Sequence, residues 1–332
     1  MLRHGRGGQP GRGAAWLARL GAGLLLVLIC TGGADAVGPF SHLILAQRVA
    51  PFIPGGAAAP EVRQALHLGA IALDAGYYPG AESRLAEAGH NLAPWSVCRA
   101  LLDLAENPAE RAFAIGYLSH ALIDQAAHRE LVNPLTGAAF SVNPLDHKRI
   151  EWGLDCWWLS QPGNQWLWQA ADETRPASPA GLALWRRALE RAYGVRLAPQ
   201  VLGTAVAAEL KTVDELPLIF QLSGQARRPG GWLGNGLGWL LGWSARPLAV
   251  GYMRWRGGYM NEIAILDAQP AAAADVANLE RLMAGVAVRL ADILAGGALP
   301  QGNLDADPAC DTGGCVDTEA AKAWLAGLPK AE

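Results

Sequence analysis

The chain contains few cysteines and few alternating β-branched residues, and each scarcity argues against a class of structure. Cysteine occurs five times in 332 residues, and no pair has the Cys-x-x-Cys spacing that is typical of cysteine-ligated zinc sites. Alternating β-branched residues are also scarce, whereas alanine and leucine dominate. This composition favours an all-α fold.

Charge is low as well, because Asp, Glu, Lys and Arg make up 17% of the chain and the formal net charge is −3. Half of the residues are apolar, which excludes a largely disordered chain. Polynucleotide-binding proteins normally carry a basic surface, and this chain lacks the excess of positive charge that such a surface needs. We therefore expect no nucleic-acid partner.

The N-terminus has the features of a secretory signal. An apolar run over residues 20–30 follows four arginines and precedes Ala34-Asp35-Ala36, a small-x-small cleavage sequence. The run is too short for an ordinary transmembrane helix. We predict a signal peptide over residues 1–36 and export of a chain that begins at Val37. The alternative is an uncleaved segment that anchors the chain in a membrane. Cleavage would remove four positive charges and one negative charge, which changes the net charge from −3 to −6.

The most informative stretch, residues 112–151, places polar side chains at helical spacing. His120, Asp124 and His128 follow each other at intervals of four residues, and His147 and Glu151 are also four apart. Residues at i and i+4 lie on one face of a helix. Imidazole nitrogens and carboxylate oxygens are the usual zinc donors outside cysteine sites.

The first of these helices is apolar on nearly all sides between Ala112 and Ala126, which predicts a buried helix. Burying three ionisable side chains on such a helix is costly unless something compensates their charge and polarity. A single histidine here would be an ordinary core residue. The combined spacing instead predicts a metal centre.

The stretch GYLSHALIDQAAH, followed by DHKRIE, resembles the zinc-dependent phospholipase C family. That family includes secreted bacterial phospholipases C, the catalytic domain of glycosylphosphatidylinositol-specific phospholipase D and, more distantly, fungal single-strand nucleases. Its upstream ligand positions are matched by His42 in FSHLILAQRV, by Asp74 in LGAIALDAGYYPG and by His90 in GHN. The resemblance extends over about residues 37–155.

This resemblance implies an all-α, multi-helix phospholipase C-like bundle around a site for two or three zinc ions. It also implies hydrolysis of a phosphodiester, with phospholipid headgroups as the expected substrates, a bridging role for Asp124 and a general-base role for Asp74. The implied metal ligands are His42, Asp74, His90, His120, Asp124, His128, His147 and Glu151. The secreted bacterial enzymes bind one zinc through an N-terminal Trp, whereas the expected N-terminus here is Val37. Two alternatives stay open: a nuclease or nucleotidase that uses the same cluster, and a non-catalytic membrane-associated relative.

The chain divides into a predicted helical domain over residues 37–300 and a C-terminal tail over residues 301–332. Within the domain, residues 227–259 are rich in Gly and Trp and carry arginines at both flanks. Trp and Arg beside apolar residues are typical of a bilayer interface. We predict peripheral membrane contact through Trp232, Trp239 and Trp243, with a buried segment as the alternative.

Local signals make a few finer predictions. Ser41 is a plausible N-cap that would place His42 in the first turn of a helix, and His90 is expected just past the end of a short helix. Cys98 and Cys156 could pair or remain buried thiols. An exported chain would also permit a disulfide between the two C-terminal cysteines, Cys310 and Cys315.

Overall fold

The computed structural model describes residues 38–140, 142–175, 178–236, 247, 250–251, 266–306 and 318–330. These residues are mainly α-helical, with no β-strand among them beyond an isolated bridge between Leu197 and Lys330. The predicted all-α fold is confirmed. The predicted signal peptide, Trp239, Trp243, Cys310 and Cys315 lie outside the described residues.

Prolines set the starts of many helices. In the described part of the chain, seven of the α-helices begin at a proline, whose restricted φ suits the first helical position and whose missing N–H loses no bond there. The helices are α1 Pro39–Val49, α2 Pro60–Ala72, α3 Ser83–His90, α4 Pro94–Leu104, α5 Pro108–Ala127, α6 Asn133–Thr136, α7 Pro144–Leu159, α8 Ala170–Thr174, α9 Pro179–Tyr193, α10 Pro199–Leu222, α11 Ala273–Leu294 and α12 Thr318–Leu325.

The central helix is α5, which is buried along most of its length and packs directly against α2. Two glycines permit the close approach. A Cβ on Gly69 would collide with the carbonyl of Phe113, and a Cβ on Gly116 would collide with the carbonyl of Leu66. Since Asp74 follows the end of α2, this packing brings its carboxylate to the polar residues of α5.

The start of α1 differs from the prediction. Ser41 is not the N-cap, because the helix already begins at Pro39. The cap comes from another helix: Asp155 on α7 accepts hydrogen bonds from the backbone N–H groups of Phe40 (3.2 Å) and Ser41 (2.9 Å) and from the Ser41 hydroxyl (2.8 Å). A carboxylate satisfies the free N–H groups and the positive end of the helix dipole. This contact ties α1 to α7.

The interpretation of residues 301–332 as a tail is corrected at its beginning. Asn303, Leu304 and Asp305 are buried, and the Leu304 N–H donates to the carbonyl of His90 at 3.0 Å. A buried backbone N–H needs a hydrogen-bond partner, and the carbonyl of His90 on α3 supplies one. The beginning of residues 301–332 therefore packs against the helices. Further on, α12 packs against α3 and α9.

Cys98 and Cys156 are both free and buried. The disulfide that the sequence left open between them is therefore not formed. Burial raises the pKa of the Cys98 thiol to about 12, so this side chain behaves as a small apolar core residue.

Candidate metal centre

All eight predicted ligand residues lie in one buried region, where none is more than 1% exposed. His90 is the last residue of α3, not a loop residue as predicted. The positions are His42 on α1, Asp74 after α2, His90 on α3, His120 and Asp124 on α5, His128 at the start of a π-helical turn, and His147 and Glu151 on α7. That π-helical turn, His128–Val132, continues α5, and such turns are frequent at functional sites.

The first donor group consists of Asp74, His90, His120 and Asp124, whose ligand atoms all lie within 4.8 Å of one another. His90 Nε2 is 3.0 Å from Asp74 Oδ1 and 3.3 Å from Asp124 Oδ2. His120 Nε2 is 3.0 Å from Asp124 Oδ2. Two carboxylates and two imidazoles form a complete donor set for a four-coordinate zinc ion.

His42 lies directly beside this first group. Its Nε2 is 3.3 Å from Asp124 Oδ1 and 4.0 Å from Asp74 Oδ2, and its ring stacks on that of His120 with the centroids 3.6 Å apart. Asp124 therefore directs one oxygen towards His42 and the other towards the first group, as a bridging carboxylate would. An ion between His42 and Asp124 would need further donors to reach four-coordination.

The second donor group consists of His128, His147 and Glu151, again with ligand atoms within 4.8 Å of one another. His128 Nε2 is 3.8 Å from Glu151 Oε1. Three protein donors leave one position of a tetrahedral site open, which is the pattern of catalytic zinc sites. The ammonium of Lys148, a fully buried residue, lies 3.1 Å from Glu151 Oε2.

Hydrogen bonds fix the orientation of four of the imidazoles. In each ring, one nitrogen lies within hydrogen-bond distance of a backbone carbonyl. The other nitrogen is buried and has no hydrogen-bond partner outside the donor groups. The pairs are His90 Nδ1 with Ala86 O (2.9 Å), His120 Nδ1 with Ala70 O (2.6 Å), His128 Nδ1 with Leu304 O (3.1 Å) and His147 Nε2 with Ala138 O (2.8 Å). Metal-binding histidines characteristically donate their outer N–H in this way, which fixes the tautomer and aims the inner nitrogen at the ion.

The carboxylates also have unsatisfied atoms. Outside the centre itself, the oxygens of Asp74 and Asp124 and Oε1 of Glu151 are buried without a hydrogen-bond partner, whereas Glu151 Oε2 has the Lys148 ammonium at 3.1 Å. Orphaned buried acceptors are rare in folded proteins and cost free energy of folding. A divalent cation would satisfy these oxygens together with the inner imidazole nitrogens. The residues present therefore fit zinc.

Without a metal, protons balance the charges of the first group. Burial lowers the pKa of His120, but the carboxylates of Asp124 and Asp74 outweigh this effect and raise that pKa to about 10. Burial raises the pKa of Asp124, yet His120 and His42 outweigh it and hold the pKa below its usual range. His120 is thus protonated at neutral pH, and a metal ion has to displace its proton.

Other aromatic and histidine residues near the centre have packing roles. His67, which is not among the predicted ligands, is buried and lies in neither donor group. Its ring stacks on that of Trp166 with the centroids 5.5 Å apart. Trp152 and Trp158 belong to the hydrophobic core. At least these two of the tryptophans that follow Glu151 thus contribute to core packing.

Sequence reasoning missed four residues that contact the ligands or the helices that carry them. Two had a local signal, because Lys148 precedes Glu151 by three residues and Asp155 follows it by four, so that both share its helix face. Leu304 and Asp305 had none, because they contact His128 from a segment remote in the chain.

Comparison with known proteins agrees with this geometry. The family model described as zinc dependent phospholipase C matches residues 41–197, which contain all eight candidate ligands. No curated protein and no solved structure gave a match. Residues 41–197 of this chain belong to the zinc-dependent phospholipase C family.

Proposed function

We propose that the protein is an exported zinc-dependent hydrolase that cleaves phospholipid headgroups in the manner of a phospholipase C. Family membership supports phosphodiester hydrolysis. The observation that carries the proposal is the pair of neighbouring buried donor groups, whose inner nitrogens and most of whose carboxylate oxygens have no hydrogen-bond partner outside the groups and Lys148. Export rests on the N-terminal sequence alone.

We assign one zinc ion to Asp74, His90, His120 and Asp124 and a second to the group formed by His128, His147 and Glu151. His42 and Asp124 are the protein donors for a third. Bound zinc would polarise the phosphoryl oxygens and lower the pKa of water to near neutrality.

The protein side chains hold and orient these sites. Asp124 presents one oxygen to each side, so its position couples His42 to the first group. Burial raises the pKa of Asp74, but His120 and His90 outweigh it and hold the pKa well below its usual range. Such a carboxylate is ionised at neutral pH, as a metal ligand has to be, and it is a weak proton acceptor. Its ligand role is therefore favoured, and its role as general base stays a prediction.

An exposed apolar surface supports lipid as the substrate class. Trp232 is 76% exposed, Leu233 is 61% exposed, and Leu218 on α10 is also exposed. Arg227 and Arg228 precede the tryptophan in the chain. Exposed Trp beside apolar and basic residues is typical of a membrane interface. Among the described residues, no helix has the length and apolarity needed to cross a membrane. The contact that we propose is peripheral and rests on the exposed Trp232.

Metal analysis coupled to a turnover assay tests the proposal. Protein from an exporting host should contain at least two zinc ions and release the phosphorylated headgroup from a soluble short-chain phosphatidylcholine. A chelator should abolish this activity and added zinc should restore it. Cleavage of single-stranded DNA in place of phospholipid would favour the nuclease alternative. Zinc-loaded protein without either activity would indicate a non-catalytic relative, in which the complete burial of the ligands serves stability alone.

A further inference from the structure

A short segment beyond the family match contacts the candidate metal centre. Residues 301–305, which we name the clamp segment, follow α11 and contact both donor groups through the backbone of Leu304. The Leu304 N–H donates to the carbonyl of His90 at 3.0 Å, and the Leu304 carbonyl accepts from His128 Nδ1 at 3.1 Å. One residue thus connects a ligand of the first group to a ligand of the second.

Side chains from the helices around the centre hold the clamp segment in place. Gln125, which follows the bridging candidate Asp124, donates from Nε2 to the carbonyls of Gln301 (2.7 Å) and Asn303 (3.3 Å). Trp95 on α4 donates to the carbonyl of Gly302 at 2.9 Å. These bonds anchor the segment independently of the two histidines.

Asp305 adds a charge on the outer side of His128. Its side chain is buried, and Oδ1 lies 3.5 Å from His128 Nδ1 without a hydrogen-bond partner among the described residues. At that distance the direct hydrogen bond is weak, so the Leu304 carbonyl is the main acceptor and the carboxylate acts through its charge. A carboxylate behind a metal-bound imidazole makes the ring a stronger ligand.

We propose that the clamp segment positions His90 and His128 for zinc, and that Asp305 is a positioning residue for the second zinc site. This inference rests on the proposed function, because it presumes that the two donor groups bind zinc. A segment outside the family match then completes the centre: it fixes the direction of His128 Nε2 and the position of His90 relative to it.

Two substitutions test the clamp separately. Asp305→Asn keeps the shape and removes the charge behind His128. Gln125→Met keeps the length and helix propensity but leaves the carbonyls of Gln301 and Asn303 without their donor. Asp172→Asn on α8, whose side chain is 73% exposed, is the matched control. Zinc affinity is measured by competition with a chromophoric chelator, together with the melting of metal-free and zinc-loaded protein.

We expect Asp305→Asn and Gln125→Met to weaken the binding of one zinc ion by about 10- to 100-fold, as other outer-shell changes do. The metal-free Asp305→Asn protein should melt close to the wild type, excess zinc should rescue its activity, and the control should match the wild type in every measurement. If the wild type binds zinc and both variants bind it equally tightly, the proposed role of the clamp segment is wrong, whereas the proposed function stands. If Asp305→Asn fails to fold, the zinc affinity of Gln125→Met tests the role of the clamp segment. A wild type without zinc would refute the proposed function and the clamp with it.

Discussion

The two donor groups are built differently, although they lie side by side. The first offers four protein donors, and the outer hydrogen bonds go to helix carbonyls: that of His90 to Ala86 on its own helix α3, and that of His120 to Ala70 on the neighbouring helix α2. The second offers three donors. Its histidines depend on the remote Leu304 and on Ala138 in the loop before α7.

This difference separates a closed site from an open one. Four protein donors saturate a zinc ion, whereas three donors leave a position for water or substrate. The second group also has the Lys148 ammonium beside Glu151. We therefore expect the first group to contribute mainly to stability and affinity, and the second to be the site that exchanges ligands. The following predictions test this contrast.

The largest effect is expected from Asp124→Asn, because Asp124 faces both His42 and the first group. Removing one partner from a buried charge network costs about 3–5 kcal/mol of folding free energy. The variant should lose at least one zinc ion and most of its activity. His67→Ala is the control, because His67 lies outside both groups. Equal metal content in the two variants, measured by elemental analysis, would count against the cluster.

Glu151→Gln should affect the second group alone. The second group loses the only carboxylate among its three donors. The protein should therefore lose one zinc ion and its turnover, while it retains the ion of the first group. Metal content after dialysis and thermal melting distinguish the two sites. Loss of both ions at once would show that the groups are not independent, and the proposed contrast would be wrong.

Gly116→Ala should weaken the first group through the backbone. The added methyl group meets the carbonyl of Leu66, so α2 and α5 must move apart and Asp74 moves away from His120. We expect a loss of about 1–3 kcal/mol in unfolding free energy and weaker zinc binding at the first group. Gly203→Ala on α10 is the control, since nothing lies within 4 Å of its added Cβ. A melting temperature equal to that of the control would refute the tight contact.

Zinc binding to the first group should strengthen as the pH rises. In the metal-free protein His120 has its pKa raised to about 10, so it keeps its proton between about pH 6 and pH 8 and must release it to bind zinc. Burial lowers the pKa of His90, but the carboxylates of Asp124 and Asp74 outweigh this effect and raise that pKa well above its ordinary value, so His90 must release a proton as well. With at least one proton displaced per ion, the apparent affinity should rise at least about tenfold per pH unit. Calorimetry in buffers of different ionisation enthalpy measures the released proton. A pH-independent affinity would exclude this competition.

The smallest effect on the fold is expected from three tryptophans that are not candidate ligands. Replacing Trp232, Trp239 and Trp243 by Ala should weaken liposome binding and leave the hydrolysis of a soluble phosphodiester intact, because the candidate ligands lie elsewhere. Trp232 is exposed, so its removal should cost little stability. Liposome sedimentation, soluble turnover and melting on one preparation separate the outcomes. A well-folded triple variant with unchanged liposome binding would contradict membrane contact.

The sequence by itself determined the features that depend on local chemistry. The alanine- and leucine-rich composition predicted helices, and α5 and α7 begin at Pro108 and Pro144, residues that favour the first helical position by their own geometry. The i, i+4 spacing of His120 and Asp124, and of His147 and Glu151, predicted shared faces because helix geometry alone relates those positions. The family followed from the same residues.

Only the tertiary structure decided which groups support the ligands. The carboxylate that caps α1 lies 114 residues from Ser41, and the carbonyl that orients His128 lies 176 residues away. Periodicity carries no information on contacts at that separation, since they depend on how the helices pack. Likewise, the close packing of α2 against α5 brings Asp74 to His120, because the two backbones can approach so closely only where a glycine leaves out the Cβ.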